Sequence, residues 1–90
     1  MSELSRDVAI SNRRGLHARA SAKFVTLAAQ FDALVVVAKD GSEAVGTSIM
    51  GLMMLAAAPG DVITIRASGA QADEALQTLI GLVEAKFNED

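Results

Sequence analysis

Val62-Ile63-Thr64-Ile65-Arg66-Ala67, followed by Ser68-Gly69, is the stretch from which the fold can be read. Ile63, Ile65 and Ala67 fall on one side of an extended chain and Thr64 and Arg66 on the other, the period of a strand with one buried face. After the Ser-Gly break, Ala72, Ala75, Leu76, Leu79, Ile80 and Val83 recur at three- and four-residue steps, which predicts a helix to about Phe87. Asp73 and Glu74 stand near its positive N-terminal end. A strand with one apolar face and a helix with a matching stripe form two layers, with the sheet's other face solvated.

Reading backwards from Val62, Pro59-Gly60 ends a short helix of about two and a half turns, with Thr47 and Ser48 placed to cap it and Leu52, Leu55 and Ala56 as its buried stripe. Leu34-Val35-Val36-Val37 is rich in β-branched valine, and Lys39-Asp40-Gly41-Ser42 turns it into a second strand around Glu43 to Val45. Ala20, Phe24, Leu27, Ala28 and Phe31 mark a helix from about Leu16 or His17 to Gln30. Leu4, Val8 and Ile10 share one face of a first strand, with Arg6 breaking that face near its edge. The order βαββαβα makes residues 1–90 one α+β domain, a four-stranded antiparallel sheet covered on one face by three helices. Asn88-Glu89-Asp90 is expected to fray.

Composition removes several classes of function. Half of the 90 residues are apolar, which excludes disorder and requires most side chains to be buried or to face a partner. Eight Lys and Arg stand against eleven Asp and Glu, and there is no Tyr or Trp, so neither a phosphate-backbone binder nor a base-stacking platform is expected. Without cysteine, and with one histidine, no disulfide, thiol chemistry or metal centre is expected. No leader-like or membrane-spanning apolar run occurs, so the expected location is cytoplasmic, with no membrane partner.

The single histidine lies in Asn12-Arg13-Arg14-Gly15-Leu16-His17-Ala18-Arg19, where strand gives way to helix. Free backbone N–H groups, the helix dipole and three arginines favour an anion there, and a phosphate fits. Positive surroundings disfavour imidazolium and leave a ring nitrogen free as a nucleophile; no carboxylate lies nearby in sequence, and a neutral imidazole needs none to attack phosphorus. Local spacing leaves open a histidine that merely fills a helix start, or a site that binds anions without catalysis. Ser48 reads as a helix N-cap that could also carry a phosphoryl group, placing negative charge beside an apolar surface. That surface is Ile49, Met50, Met53 and Met54, since so short a helix cannot bury every side; flexible methionines suit a docking patch, and Met53 taken alone equally suits a core gap-filler.

Gly15-Leu16-His17-Ala18-Arg19 resembles the phosphohistidine signature of the histidine-containing phosphocarrier family, HPr, of the bacterial phosphoenolpyruvate-dependent phosphotransferase system. Thr47-Ser48-Ile49-Met50-Gly51-Leu52 resembles that family's second, serine-centred signature, and length and element order agree over the whole chain. The resemblance implies that His17 takes a phosphoryl group at Nδ1 from enzyme I and gives it to an enzyme IIA, with Arg19 binding the travelling group. It makes the protein a phosphoryl-transfer co-substrate, without cofactor or metal, expected to be monomeric. It implies a docking face of Ala18, Ala22, Lys23 and Thr26 with Ile49, Met50, Met53 and Met54, and matches Ser48 to the site that an HPr kinase/phosphorylase modifies in many lineages. Ala20 stands where many members have Pro, and Arg14 where many have Asn or Ser. Phe31-Asp32-Ala33, the approach to Gly15 and the Phe87-Asn88-Glu89-Asp90 tail are more similar to the nitrogen-related branch, NPr. The opposing reading is a regulatory module that acts by binding alone.

Overall fold

In the computed structural model, which describes residues 3–89, the alternating stretch is the pivot of the sheet. The strands are β1 (Leu4–Ala9), β2 (Leu34–Lys39), β3 (Ser42–Val45) and β4 (Val62–Ser68), and the helices are α1 (Ala18–Ala28), α2 (Ile49–Met54) and α3 (Ala72–Glu84). The spatial order is β1-β4-β2-β3, so β4, the last strand in the chain, pairs antiparallel with β1 on one side and β2 on the other. The expected open-faced sandwich is therefore the fold, with the element order βαββαβα.

The period-two reading of β4 accounts for its place. Ile63, Ile65 and Ala67 are buried under the helices, while Thr64 and Arg66 lie on the opposite face. That face is held by polar cross-strand pairs: Thr64 Oγ1 donates to Asp7 Oδ1 at 2.7 Å, and the Arg66 guanidinium donates to Glu43 Oε2 at 2.6 Å. On the covered side, all six residues of the predicted α3 stripe are buried, and Phe24 and Ala28 of α1 with Leu52 of α2 complete the core. Ser21 lies fully buried among the apolar residues of α1; its hydroxyl donates to the carbonyl of Leu16 at 3.2 Å, which removes the cost of an unpaired polar group.

Two expectations fail at helix ends. α2 has only six residues and stops before Pro59, because Ala56 takes a left-handed backbone (φ 54°) and turns the chain. Leu52 and Leu55 are buried as expected, but Ala56 is exposed. α3 ends at Glu84 rather than near Phe87, and Lys86, Phe87 and Asn88 all adopt φ between 55° and 58° in a 3-10 turn. This left-handed turn folds the chain end back over the domain and inserts Phe87, 0% exposed, into the core. Among the described residues no helix is long and apolar enough to cross a membrane.

Candidate functional site

The loop between β1 and α1 is shaped by contacts to the segment after α2. Gly15 has φ +64°, and a Cβ on it would collide with the Ala57 carbonyl group and lie 3.1 Å from Ala58 Cα, so glycine is needed on both counts. The next amide, Leu16 N–H, donates to that same Ala57 carbonyl at 3.0 Å. Asn12, 1% exposed, donates through Nδ2 to the Gly15 carbonyl at 2.8 Å and closes the loop from within. Nothing local marked Asn12 as buried; in a polar loop it reads as solvated.

This framework delivers His17 as the N-cap of α1. Its backbone is extended (φ −72°, ψ 179°), and its carbonyl accepts the Ser21 N–H at 2.9 Å. The ring folds back over the first turn so that Nδ1 accepts the Arg19 backbone N–H at 3.2 Å. A histidine thus does what Ser or Asp usually does at this position.

The other ring nitrogen overturns two expectations. Nε2 lies 2.7 Å from Glu89 Oε2, with the two side chains only 19% and 16% exposed. The second carboxylate oxygen, Oε1, accepts from Asn12 Nδ2 at 3.2 Å. Asn88 and Glu89 are therefore held rather than frayed, while Asp90 lies outside the described residues. A carboxylate does attend the histidine, brought there across 72 positions of sequence by the left-handed turn. Burial pushes the Glu89 carboxyl up, but the hydrogen bonds from Asn12 and His17, then the charges of His17 and Lys23, outweigh it and hold the group below its ordinary value. The one sequence signal was Phe87, an apolar residue beyond the helical stripe that needed somewhere to be buried.

An N–H directed at Nδ1 matches the tautomer that carries its proton on Nε2, the nitrogen facing Glu89. The lone pair remaining at Nδ1 faces the start of α1, where the amides of the first turn have no helical carbonyl to serve.

Arg13, Arg14 and Arg19 are all exposed. Arg19 joins Ala22, Lys23 and Thr26 along one wall of a groove of about 420 Å³ whose far side includes Leu82 and Asn88. Lys23 also donates through Nζ to the Phe87 carbonyl at 2.7 Å, tying α1 to the tail. The α2 candidates, Ile49, Met50, Met53 and Met54, are exposed, Met50 by 68% and Met54 by 79%, but none of them lines this groove. Ala18 is exposed beside His17. Ser48 caps α2, its Oγ accepting the Gly51 N–H at 3.0 Å. Among the described residues no cluster of three or more His, Cys, Asp or Glu could hold a metal ion.

A histidine capping a helix beside a groove is a general arrangement; its family is decided by comparison. The family model described as "PTS HPr component phosphorylation site" matches residues 4–85. The chain belongs to the HPr family. It shares 43% identity over 89 residues with the phosphocarrier protein NPr of Shewanella violacea, covering 99% of this chain and 98% of that one. It shares 49% identity over 86 residues with the phosphocarrier protein HPr of Neisseria meningitidis, covering 96% and 97%. A crystal structure of HPr from Thermoanaerobacter tengcongensis superposes with a TM-score of 0.90 at 39% identity, covering 100% of this chain and 99% of that one. The expected fold and phosphocarrier family are thus borne out, and relatives of both the HPr and NPr branches are comparably similar.

Proposed function

We propose that this HPr-family chain carries a phosphoryl group on His17 Nδ1, taken from phosphorylated enzyme I and passed to an enzyme IIA protein. The observation that carries the reading is the Arg19 N–H directed at Nδ1. In this reading Nδ1 holds the lone pair, and once that lone pair is spent in an N–P bond the same amide is free to serve a phosphoryl oxygen. Arg19, exposed two residues on, supplies a bidentate donor. Incubation with phosphoenolpyruvate, enzyme I and Mg²⁺ should add one acid-labile phosphoryl group to His17, read by mass spectrometry. His17→Ala should abolish it while the fold persists; undiminished labelling of that variant would exclude the assignment. Arg19→Ala should slow transfer more than Arg13→Ala does.

The groove wall of Ala22, Lys23 and Thr26, with Ala18 and the exposed α2 residues Ile49, Met50, Met53 and Met54, forms the docking surface in this reading. Ser48 is the regulatory position, open to an HPr kinase/phosphorylase where one is present, since its hydroxyl is partly exposed while it caps α2. A phosphoryl group there would sit beside Ile49 and Met50 and oppose apolar docking. Ser48→Asp should therefore slow transfer from enzyme I without unfolding the domain, and an unaltered rate would count against the charge block. A monomer in the cytoplasm suits a carrier that alternates between partners. Action by binding alone would leave His17→Ala fully functional in the cell.

A further inference from the structure

We propose that Lys39 is a positioning residue for phosphoryl transfer: its ammonium group clamps both ends of segment 55–61, the platform on which the loop presenting His17 rests. The assignment rests on the reading of His17 as phosphoryl acceptor.

Lys39 stands where an apolar residue is due. Along β2 it follows Val35 and Val37 in the period-two pattern, so it falls on the face that the helices cover, and its side chain is only 16% exposed. A charge so placed is costly unless its head group finds partners. Two come from the chain that follows α2: Nζ donates to the Leu55 carbonyl at 3.3 Å and lies 3.5 Å from Asp61 Oδ2. Leu55 is the C-cap of α2, a helix with no basic residue in its own last turn, so the cation that suits this negative end is brought in from the sheet. Asp61 is held in turn. Its Oδ2 accepts the Ala58 N–H at 2.9 Å, and that bond foremost, with the Lys39 charge behind it, keeps the carboxyl below its ordinary value against the opposing pull of burial. The remaining neighbour, Asp40 Oδ2 at 3.5 Å, is 86% exposed and adds little.

The histidine loop is bonded to the segment between these two attachments. Leu16 N–H donates to the Ala57 carbonyl at 3.0 Å, Ile10 N–H to the Asp61 carbonyl at 2.8 Å, and Gly60 N–H to the Ile10 carbonyl at 2.8 Å. Residues 10–16 therefore begin and end on backbone bonds to residues 57–61, and His17 follows the last of them directly. The platform has no helical or strand ladder of its own, and it turns at Ala56 (φ 54°) and again at Gly60 (φ 93°). Its place is set by the burial of Leu55 and Ala57 and by the groups tied to its ends. Without the Lys39 ammonium, Leu55 O loses its partner and Asp61 its counter-charge, and the polar half of that anchorage is gone. Movement of the platform is then shared with the loop, so Nδ1 meets phosphorus over a wider range of directions, and attack on phosphorus is sensitive to ångström-scale misplacement. Among the described residues Lys39 makes no hydrogen bond or ion pair with His17, so its influence passes through the three backbone bonds.

The test uses the full chain as wild type, Lys39→Met, Lys39→Arg, Asp61→Asn and Thr64→Val, the last of which removes a side-chain bond on the open face of the sheet. With enzyme I and phosphoenolpyruvate, Lys39→Met should lower kcat for phosphorylation of the chain about three- to tenfold and leave KM within about twofold, a loss of alignment rather than of docking. Lys39→Arg, which keeps the charge, should recover most of kcat, and Thr64→Val should leave both constants unchanged. Asp61→Asn should lose less than Lys39→Met, and adding Lys39→Met to it should cost less than in wild type, because the two charges act as a pair. Hydrogen exchange, which needs no phosphoryl donor, should show the Ile10, Leu16 and Gly60 amides of Lys39→Met exchanging at least about threefold faster while the Ser21 amide of α1 keeps its rate. Wild-type kcat in a folded Lys39→Met overturns the proposal, as does a loss confined to KM, one that Thr64→Val reproduces or one that Lys39→Arg does not relieve. If Lys39→Met does not fold, Asp61→Asn carries the same comparison. A wild type that takes up no label sinks the phosphohistidine reading instead, and the exchange rates still decide whether Lys39 holds the loop.

Discussion

Replacing Gly15 by alanine should damage the domain far more than one methyl group suggests, and the reason is written in two separable costs. The first is conformational: an L-residue at φ +64° pays about 1–2 kcal/mol for the left-handed region. The second is steric: the new Cβ would overlap the Ala57 carbonyl group and stand 3.1 Å from Ala58 Cα, both backbone groups that cannot rotate away. Relief requires the loops to separate, which breaks the 3.0 Å bond from Leu16 N–H to Ala57 O and leaves a buried amide unpaired, about 1–3 kcal/mol more. Together these give roughly 2–5 kcal/mol, and at about 4–8 °C per kcal/mol for a domain of this size the melting temperature should fall by at least ~8 °C. Gly41→Ala is the internal control. Its φ is +84° with nothing within 4 Å of the added carbon, so only the conformational cost applies and the fall should be about 4–16 °C, less than half of that for Gly15→Ala. Thermal unfolding followed by far-UV circular dichroism measures both. Equal shifts for the two variants would refute the claim that Gly15 is a point of closest approach between two loops rather than merely a turn residue.

Three further outcomes are expected. Phe87→Ala should cost about 3–5 kcal/mol in urea unfolding and free Glu89 from His17; a loss under about 1 kcal/mol would mean that the tail is not anchored by this ring. Ser48→Ala should lose about 1 kcal/mol with the cap to Gly51, whereas Ser48→Asp, which can still accept that N–H, should stay within about 0.5 kcal/mol of wild type; equal losses would show that the cap bond contributes nothing. The Glu89 carboxyl is held below its ordinary value of 4.5, so the folded state favours its charged form: its contribution is fully present above that value and lost as pH falls through the depressed range. Acid titration of Glu89→Gln should lack that component of the wild-type curve, and coincident acid limbs would remove Glu89 from the balance.

What was legible in the sequence follows from what a local pattern can encode. The faces of β4 and α3 were readable because burial on one side imposes a period that every residue of the element repeats. His17 at a helix start was readable because composition changes there, from polar loop to amphipathic stripe. The end of α2 was not, because the turn falls on Ala56, a residue whose identity gives no hint of a left-handed conformation, while Pro59-Gly60 offered a conspicuous stop three residues later. The Asn12–Glu89–His17 constellation was out of reach for a different reason. It is assembled by a run of three left-handed residues containing no glycine, and it joins the two ends of the chain. Such a contact is a property of the closed tertiary structure, and a reading that proceeds window by window assigns the same tail to disorder.

The sheet order carries a consequence for biosynthesis. With β4 seated between β1 and β2, a nascent chain that has emerged only as far as α2 holds a hairpin and a lone strand with a vacant slot between them. Both strands flanking that slot then expose unsatisfied backbone edges, the form in which sheets recruit the wrong neighbour. Nothing upstream can close the gap, so collapse to the native state must await emergence of Val62–Ser68 from the ribosome, and a chain held just short of that point would be at its most adhesive.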